Sequence, residues 1–103
     1  MKLRLRFARQ AIDEAKHAKT WWRRNRRDAP HLFQQEFDAA VERIQLNPKL
    51  GLVYEQGDLE VTVYRLMMPK TRNHLFYAVQ DSELIIISIW GATKEYGPRL
   101  KPL

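Results

Sequence analysis

The spacing of apolar residues changes near Gly51, and that change limits the fold more than any other feature of the chain. From Ala8 to Leu46 apolar side chains recur every three or four residues, the repeat of an amphipathic helix. Beyond Gly51 the chain runs in short segments rich in Val, Ile, Tyr, Phe and Leu, the composition of strands. A chain built this way must lay helices against a sheet. The reading is therefore an α+β fold: an N-terminal strand, then an antiparallel helical hairpin packed on a mainly antiparallel sheet of four or five strands. With 103 residues there is room for one modest core, so residues 1–103 are read as a single domain.

Lys2–Phe7 alternates charged and apolar residues, the mark of a half-buried strand. It is short and terminal, so it is expected at an edge or as a late-joining partner. A first helix is expected from about residue 9 to Arg26, with Ala8, Ile12, Ala15, Ala18 or Lys19, and Trp22 on its inner face. Trp21 and Trp22 point about 100° apart on such a helix, so one belongs to the core and the other to its rim or to a partner. Asp28-Ala29-Pro30 breaks the pattern, and a second helix is expected from about Pro30 to Leu46 with Phe33, Phe37, Ala40 or Val41, and Ile44 inward. Asn47–Gly51 reads as a turn in which proline ends the helix and Gly51 can adopt a positive φ. Short strands are expected at Leu52–Tyr54, Leu59–Met67, Asn73–Gln80 and Leu84–Trp90. The last is apolar on both faces, as a central strand would be. Alternation places Leu84 and Ile86 on one face and Ile85, Ile87 and Ile89 on the other. That is more apolar sheet than one hairpin covers, so the tail Gly91–Leu103 or a second protein is expected to cover the rest.

The formal charge is +6, and it is unevenly spread: residues 1–30 and 65–103 are basic, whereas 31–64 are acidic. A basic surface attracts nucleic acid, an acidic protein or an anionic membrane. Arg4, Arg6, Arg23, Arg24, Arg26 and Arg27 fit a nucleic-acid backbone or an acidic partner equally well. Those at the helix end are expected to solvate it rather than bind free nucleic acid. There is no cysteine, which removes disulfides, thiolate metal ligands and a cysteine nucleophile. Met1–Phe7 alternates instead of forming an apolar leader, and no apolar run is long enough to span a membrane. A cytoplasmic protein with no membrane partner is expected.

Several runs carry a resemblance over nearly the whole chain. They are Thr20-Trp21-Trp22-Arg23-Arg24-Asn25, Ala29-Pro30-His31-Leu32-Phe33, Ile44–Gly51, Val63-Tyr64-Arg65-Leu66, Lys70–Val79 and Ile85–Ala92, with Gly97-Pro98 beyond. In this order they resemble the RelE/ParE toxins of type II toxin–antitoxin systems, and within that family the ParE-like members. The resemblance implies a compact α/β toxin held inactive by a cognate antitoxin. RelE-like members cut messenger RNA in the ribosomal decoding site with basic residues and often a His or Tyr near the C-terminus. ParE-like members usually lack that set and are associated with inhibition of DNA gyrase.

Metal-free RNA cleavage needs a base for the 2′-hydroxyl, cations for the phosphate and an acid for the leaving group. The candidates are Arg65, Lys70, Arg72, His74 and Tyr77. The resemblance puts Arg65 where RNA-cutting members contact the scissile phosphate. His74 titrates near neutrality, but it also reads as an ordinary strand histidine, and Tyr77 as core. His17, His31 and His74 do not match a metal-ligand spacing, so no metal or cofactor is expected. Glu55, Asp58 and Glu60 read as solvated turn charge. Gly91 and Thr93 stand where the RNA-cutting members carry a histidine and a basic residue, leaving only Lys94 and Tyr96 to compensate. On that departure the preferred expectation is a non-enzymatic toxin that binds an essential target such as DNA gyrase. A ribosome-dependent endoribonuclease and an inactive binding module are the alternatives. Trp21, Trp22, Arg23, Arg65, Arg72, Trp90, Lys94 and Arg99 are the candidates for binding target or antitoxin.

Overall fold

The computed structural model describes residues 2–54 and 60–91. The elements are β1 (Arg4–Phe7), α1 (Arg9–Asn25), α2 (Leu32–Leu46), β2 (Leu52–Tyr54), β3 (Val63–Met68), β4 (Asn73–Gln80) and β5 (Glu83–Gly91). They form one five-stranded sheet in the order β1-β5-β4-β3-β2. β1 runs parallel to β5 at one edge, and every other pair is antiparallel. The helical hairpin carries the chain from one edge of the sheet to the other. A meander then returns it, leaving β5 in the interior. Leu84 to Ile89 are all buried, as expected for a strand apolar on both faces.

The helices pack on one face of the sheet. The inner stripe of α2 is Phe33, Phe37, Ala40, Val41 and Ile44, all buried. α2 begins at Leu32, two residues after the expected proline, because Pro30 sits in the preceding turn. Along α1 the inward face is Ala11, Ala15, Ala18 and Trp22. Ile12, expected inward, is exposed and Ala11 takes its place, whereas Ala15, Ala18 and Trp22 lie inward as expected. The small alanines bring α1 close to β5, and Glu14 reaches the strand from there. Arg23 and Arg24 lie in the last turn of α1, where cations favour the helix dipole.

β5 carries a bulge that strict alternation does not anticipate. Phe76 pairs with Ser88, but Tyr77 pairs with Ile86, so Ile87 is an extra residue. The bulge turns Ile89 to the helix side, where it joins Leu75, Leu84 and Ile86 in the core. Its expected place beside Ile85 and Ile87 is thereby corrected. Glu14 accepts hydrogen bonds from the Ile89 N–H at 3.0 Å and the Ser88 hydroxyl at 2.9 Å. A buried strand irregularity thus finds its partners on a helix.

The opposite face has its own small core of Val63, Phe76, Ala78, Ile85 and Ile87, with Tyr54, Val61 and Trp90 packed against it. Phe76, Ala78, Ile85 and Ile87 are 0–3% exposed in the isolated chain. These residues are therefore covered within the chain, without a second protein. The tail proposed as its cover lies, apart from Gly91, outside the described residues. Among the exposed apolar side chains, Leu52 and Met67, at 69% and 42%, lie on this face toward the β2–β3 edge.

Candidate functional site

Arg65 and His74 stand on the sheet face opposite the helices. Arg65 pairs across strands with Leu52 and Phe76, and His74 with Met67 and Trp90. Directly paired residues point to the same side of a sheet, so Arg65, Met67, His74, Phe76 and Trp90 share this face. Arg65 is exposed, and among the described residues it holds no ion pair. His74 is partly buried, with its ring centroid 6.3 Å from that of Phe76. Its Nδ1 is buried without a hydrogen-bond partner. Burial, reinforced by the Arg65 charge, pushes its pKa below the ordinary histidine value, because both disfavour the imidazolium.

The backbone under Arg65 is held in place. Tyr77, fully buried, donates its hydroxyl to the Pro48 carbonyl and accepts the Gly51 N–H, both at 2.9 Å. This ties the α2–β2 loop to the sheet. Gly51 does not use the positive φ open to it. Glycine is needed for space: a Cβ there would lie 2.8 Å from the Arg65 carbonyl oxygen and 3.0 Å from the Tyr77 hydroxyl. Burial raises the Tyr77 pKa despite the hydrogen bond from Gly51. Tyr77 faces the helices and is a lock for the loop, not a member of the Arg65 face.

Lys70 and Arg72 separate from the other candidates as well. They sit in the β3–β4 turn, where Arg72 has φ 60°. The Glu36 carboxylate fixes that turn by accepting the Lys70 N–H, the Thr71 N–H and the Thr71 hydroxyl at 2.6–2.8 Å. The turn and α1 enclose a groove of about 680 Å³ on the helix side of the sheet, lined among others by Trp21, Trp22, Arg26, Lys70 and Arg72. Trp21 is half exposed and stands edge-on to the partly buried Trp22, so the rim-and-core reading of the pair holds. Arg23 lines a separate small cavity of about 130 Å³ with Lys19, His31 and Gln34.

The five ribonuclease candidates are thus split three ways. Arg65 and His74 share one face, Lys70 and Arg72 line a groove on the other, and Tyr77 is buried in the core. Of the binding candidates, Trp21, Trp22 and Arg72 share the groove and Trp90 joins the Arg65 face. Lys94 and Arg99, like Tyr96, Glu55 and Asp58, lie outside the described residues. Among the described residues no group of three His, Asp or Glu side chains could hold a metal, and no helix is long and apolar enough to cross a membrane. Reasoning from sequence missed Glu14 and Glu36. Their only signal is a glutamate near the inner face of an amphipathic helix.

No family model and no curated protein matches the chain. Solved structures do. The YoeB dimer from Staphylococcus aureus is 19% identical with a TM-score of 0.57, covering 87% of this chain and 97% of that one. A double arginine-to-alanine mutant of E. coli toxin RelE in the free state is 18% identical with a TM-score of 0.55, covering 90% and 86%. The fold is therefore that of RelE/ParE-type toxins. These matches lie with RelE and YoeB and give no specific support to the ParE-like assignment. They also overturn the expectation that the chain is more likely not an enzyme, which followed the ParE-like members, whereas the matches lie with RelE and YoeB. The expectation drawn from Gly91 and Thr93 gave that departure from the family pattern more weight than the shared fold supports.

Proposed function

We propose that the chain is the toxin of a type II toxin–antitoxin pair and cuts messenger RNA on the ribosome without a metal. The observation that carries the reading is an exposed arginine without an ion-pair partner among the described residues, on the same face as a histidine whose neutral form is favoured. Arg65 neutralises the non-bridging oxygens of the scissile phosphate. His74, in the tautomer with its proton on Nδ1, offers the Nε2 lone pair to the 2′-hydroxyl proton. The freed 2′-oxygen attacks the adjacent phosphorus. The bond to the 5′-oxygen breaks, and that oxygen takes a proton from solvent. The products are a 2′,3′-cyclic phosphate and a 5′-hydroxyl. Similarity to RelE and YoeB supports this reaction class by analogy of fold.

A cognate antitoxin is the proposed partner. Leu52 and Met67 are exposed around Arg65, and β2 is an open sheet edge. An antitoxin segment carrying apolar and acidic residues would cover both features and so occlude the site. The test is to map transcript 5′ ends on translating ribosomes with the wild-type chain and with Arg65→Ala. Codon-phased cuts that disappear in the variant are expected. If the wild-type chain makes no cuts, the reading is wrong.

A further inference from the structure

The groove between α1 and the β3–β4 turn has no part in the chemistry above. Its turn is rigid, because Glu36 engages two backbone N–H groups and the Thr71 hydroxyl. Its cations, Arg26, Lys70 and Arg72, are exposed, and among the described residues none of them is ion-paired. The Arg26 guanidinium lies 5.7 Å from the centre of the Trp22 ring. Glu14 is the one acidic lining residue among those described, and its carboxylate already receives the Ser88 hydroxyl and the Ile89 N–H. The result is a positive groove with half-exposed aromatic surface at Trp21.

We propose that this groove binds single-stranded RNA, with a base stacked on Trp21 and backbone phosphates held by Arg26, Lys70 and Arg72. The inference rests on the RNA-directed reading of the protein and assigns a second contact for the same strand. Charge selects a polyanion. A polyanion whose units also carry flat aromatic faces uses both features of the groove. A duplex keeps its bases stacked on one another, and its recognition works through shape and backbone instead. The volume falls within the roughly 300–1,000 Å³ range of small-molecule pockets, which suits a splayed-out nucleotide better than a helix. Position supports the assignment. Asn73 and Gly91 line the groove and pair with each other one step beyond the His74–Trp90 pair. A strand lying across Arg65 and His74 therefore needs only to round this end of the sheet to enter the groove.

The test uses the full chain and unlabelled single-stranded hexauridylate, followed by quenching of tryptophan fluorescence. Hexauridylate should quench, and binding should weaken steeply with salt as counterions are released. Trp21→Ala should lose most of the quench and bind about tenfold more weakly, in line with the loss of one stacked base. Replacing Lys70 and Arg72 together by Gln should flatten the salt dependence. The inference is overturned if Trp21→Ala binds hexauridylate like the wild type. It is also overturned if a polyglutamate peptide binds as tightly and loses affinity equally on Trp21→Ala, because the groove would then be a site for acidic peptides. A chain that cuts on the ribosome while its groove variants bind RNA normally refutes only this inference. A chain that binds hexauridylate at Trp21 but never cuts refutes only the proposed reaction.

Discussion

The two faces of the sheet are built for different work. On the helix side, polar groups at the core are matched to partners. Glu14 serves the bulge in β5, Glu36 serves the β3–β4 turn, and Tyr77 serves the loop before β2. On the opposite side an apolar cluster anchors the sheet, while Arg65 stays unpaired among the described residues and His74 keeps an unsatisfied nitrogen. Satisfied groups rigidify a structure, and unsatisfied ones represent interaction energy still available to a ligand. Stability therefore rests with the first face and the proposed chemistry with the second, and substitutions can separate the two.

The largest expected effect is on chemistry. Arg65→Ala should lower ribosome-dependent cleavage by about a hundredfold or more, comparable to removing a donor from a charged transition state. The urea midpoint should stay near that of the wild type, since Arg65 is exposed and free of ion pairs among the described residues. A variant that unfolds early while its remaining folded fraction cuts normally would reverse the roles given to the two faces.

Gly51→Val tests the support beneath that arginine. The new side chain would meet the Arg65 carbonyl and the Tyr77 hydroxyl, and neither backbone nor buried ring can yield easily. Overpacking of this kind costs about 1–3 kcal/mol, read as a lower urea midpoint. Cleavage should fall too, because the strand carrying Arg65 must shift. Unchanged stability would mean that the loop moves away freely and does not brace the site.

Glu14→Ala should destabilise by about 1–3 kcal/mol, as expected when buried donors lose their acceptor. The Ile89 N–H and the Ser88 hydroxyl both lose their carboxylate acceptor, and Gln10, which donates to the Ser88 oxygen, does not replace it. Hydrogen exchange should quicken first at Ile89. Protection there equal to the wild type would show that the bulge does not depend on α1.

These locks mark the limit of what the sequence reveals. The change of period near Gly51 yields the order of elements, and the apolar stripe of α2 is read residue by residue. The interior position of β5 follows from its apolar character on both faces. The bulge at Ile87 leaves no trace in composition, so strict alternation assigns Ile89 to the wrong face. Glycine signals either positive φ or close approach, and only the contact with Arg65 decides for Gly51. Within the candidate site, Arg65 and His74 sit in strands of the same sheet and their common face follows from register. Lys70 and Arg72 lie in a turn, whose direction depends on Arg72 being left-handed and on a glutamate thirty-odd residues away in sequence. A glutamate on a helix usually faces water, so neither Glu14 nor Glu36 announces its structural use.

The smallest expected effect concerns the pH dependence of stability, and it tests whether the open face carries a cost. The pKa of His74 is lowered in the folded chain, by burial first and by Arg65 second. Above the unfolded value near 6.5 the imidazole is neutral in both states and contributes no pH dependence. As pH falls through that value the unfolded chain takes up the proton first, so the folded state loses stability. The loss levels off once pH is below the folded pKa, where both states are protonated. His74→Gln should therefore flatten the stability profile below about pH 6.5, measured as urea midpoints across the acidic range. Arg65→Ala should flatten it only in part, because burial remains. Cleavage by the wild type should fall over the same range if Nε2 takes the 2′-hydroxyl proton. Parallel stability profiles for the wild type and His74→Gln would show that the histidine is not strained toward its neutral form, and Arg65 would then be the sole element of the proposed chemistry on this face.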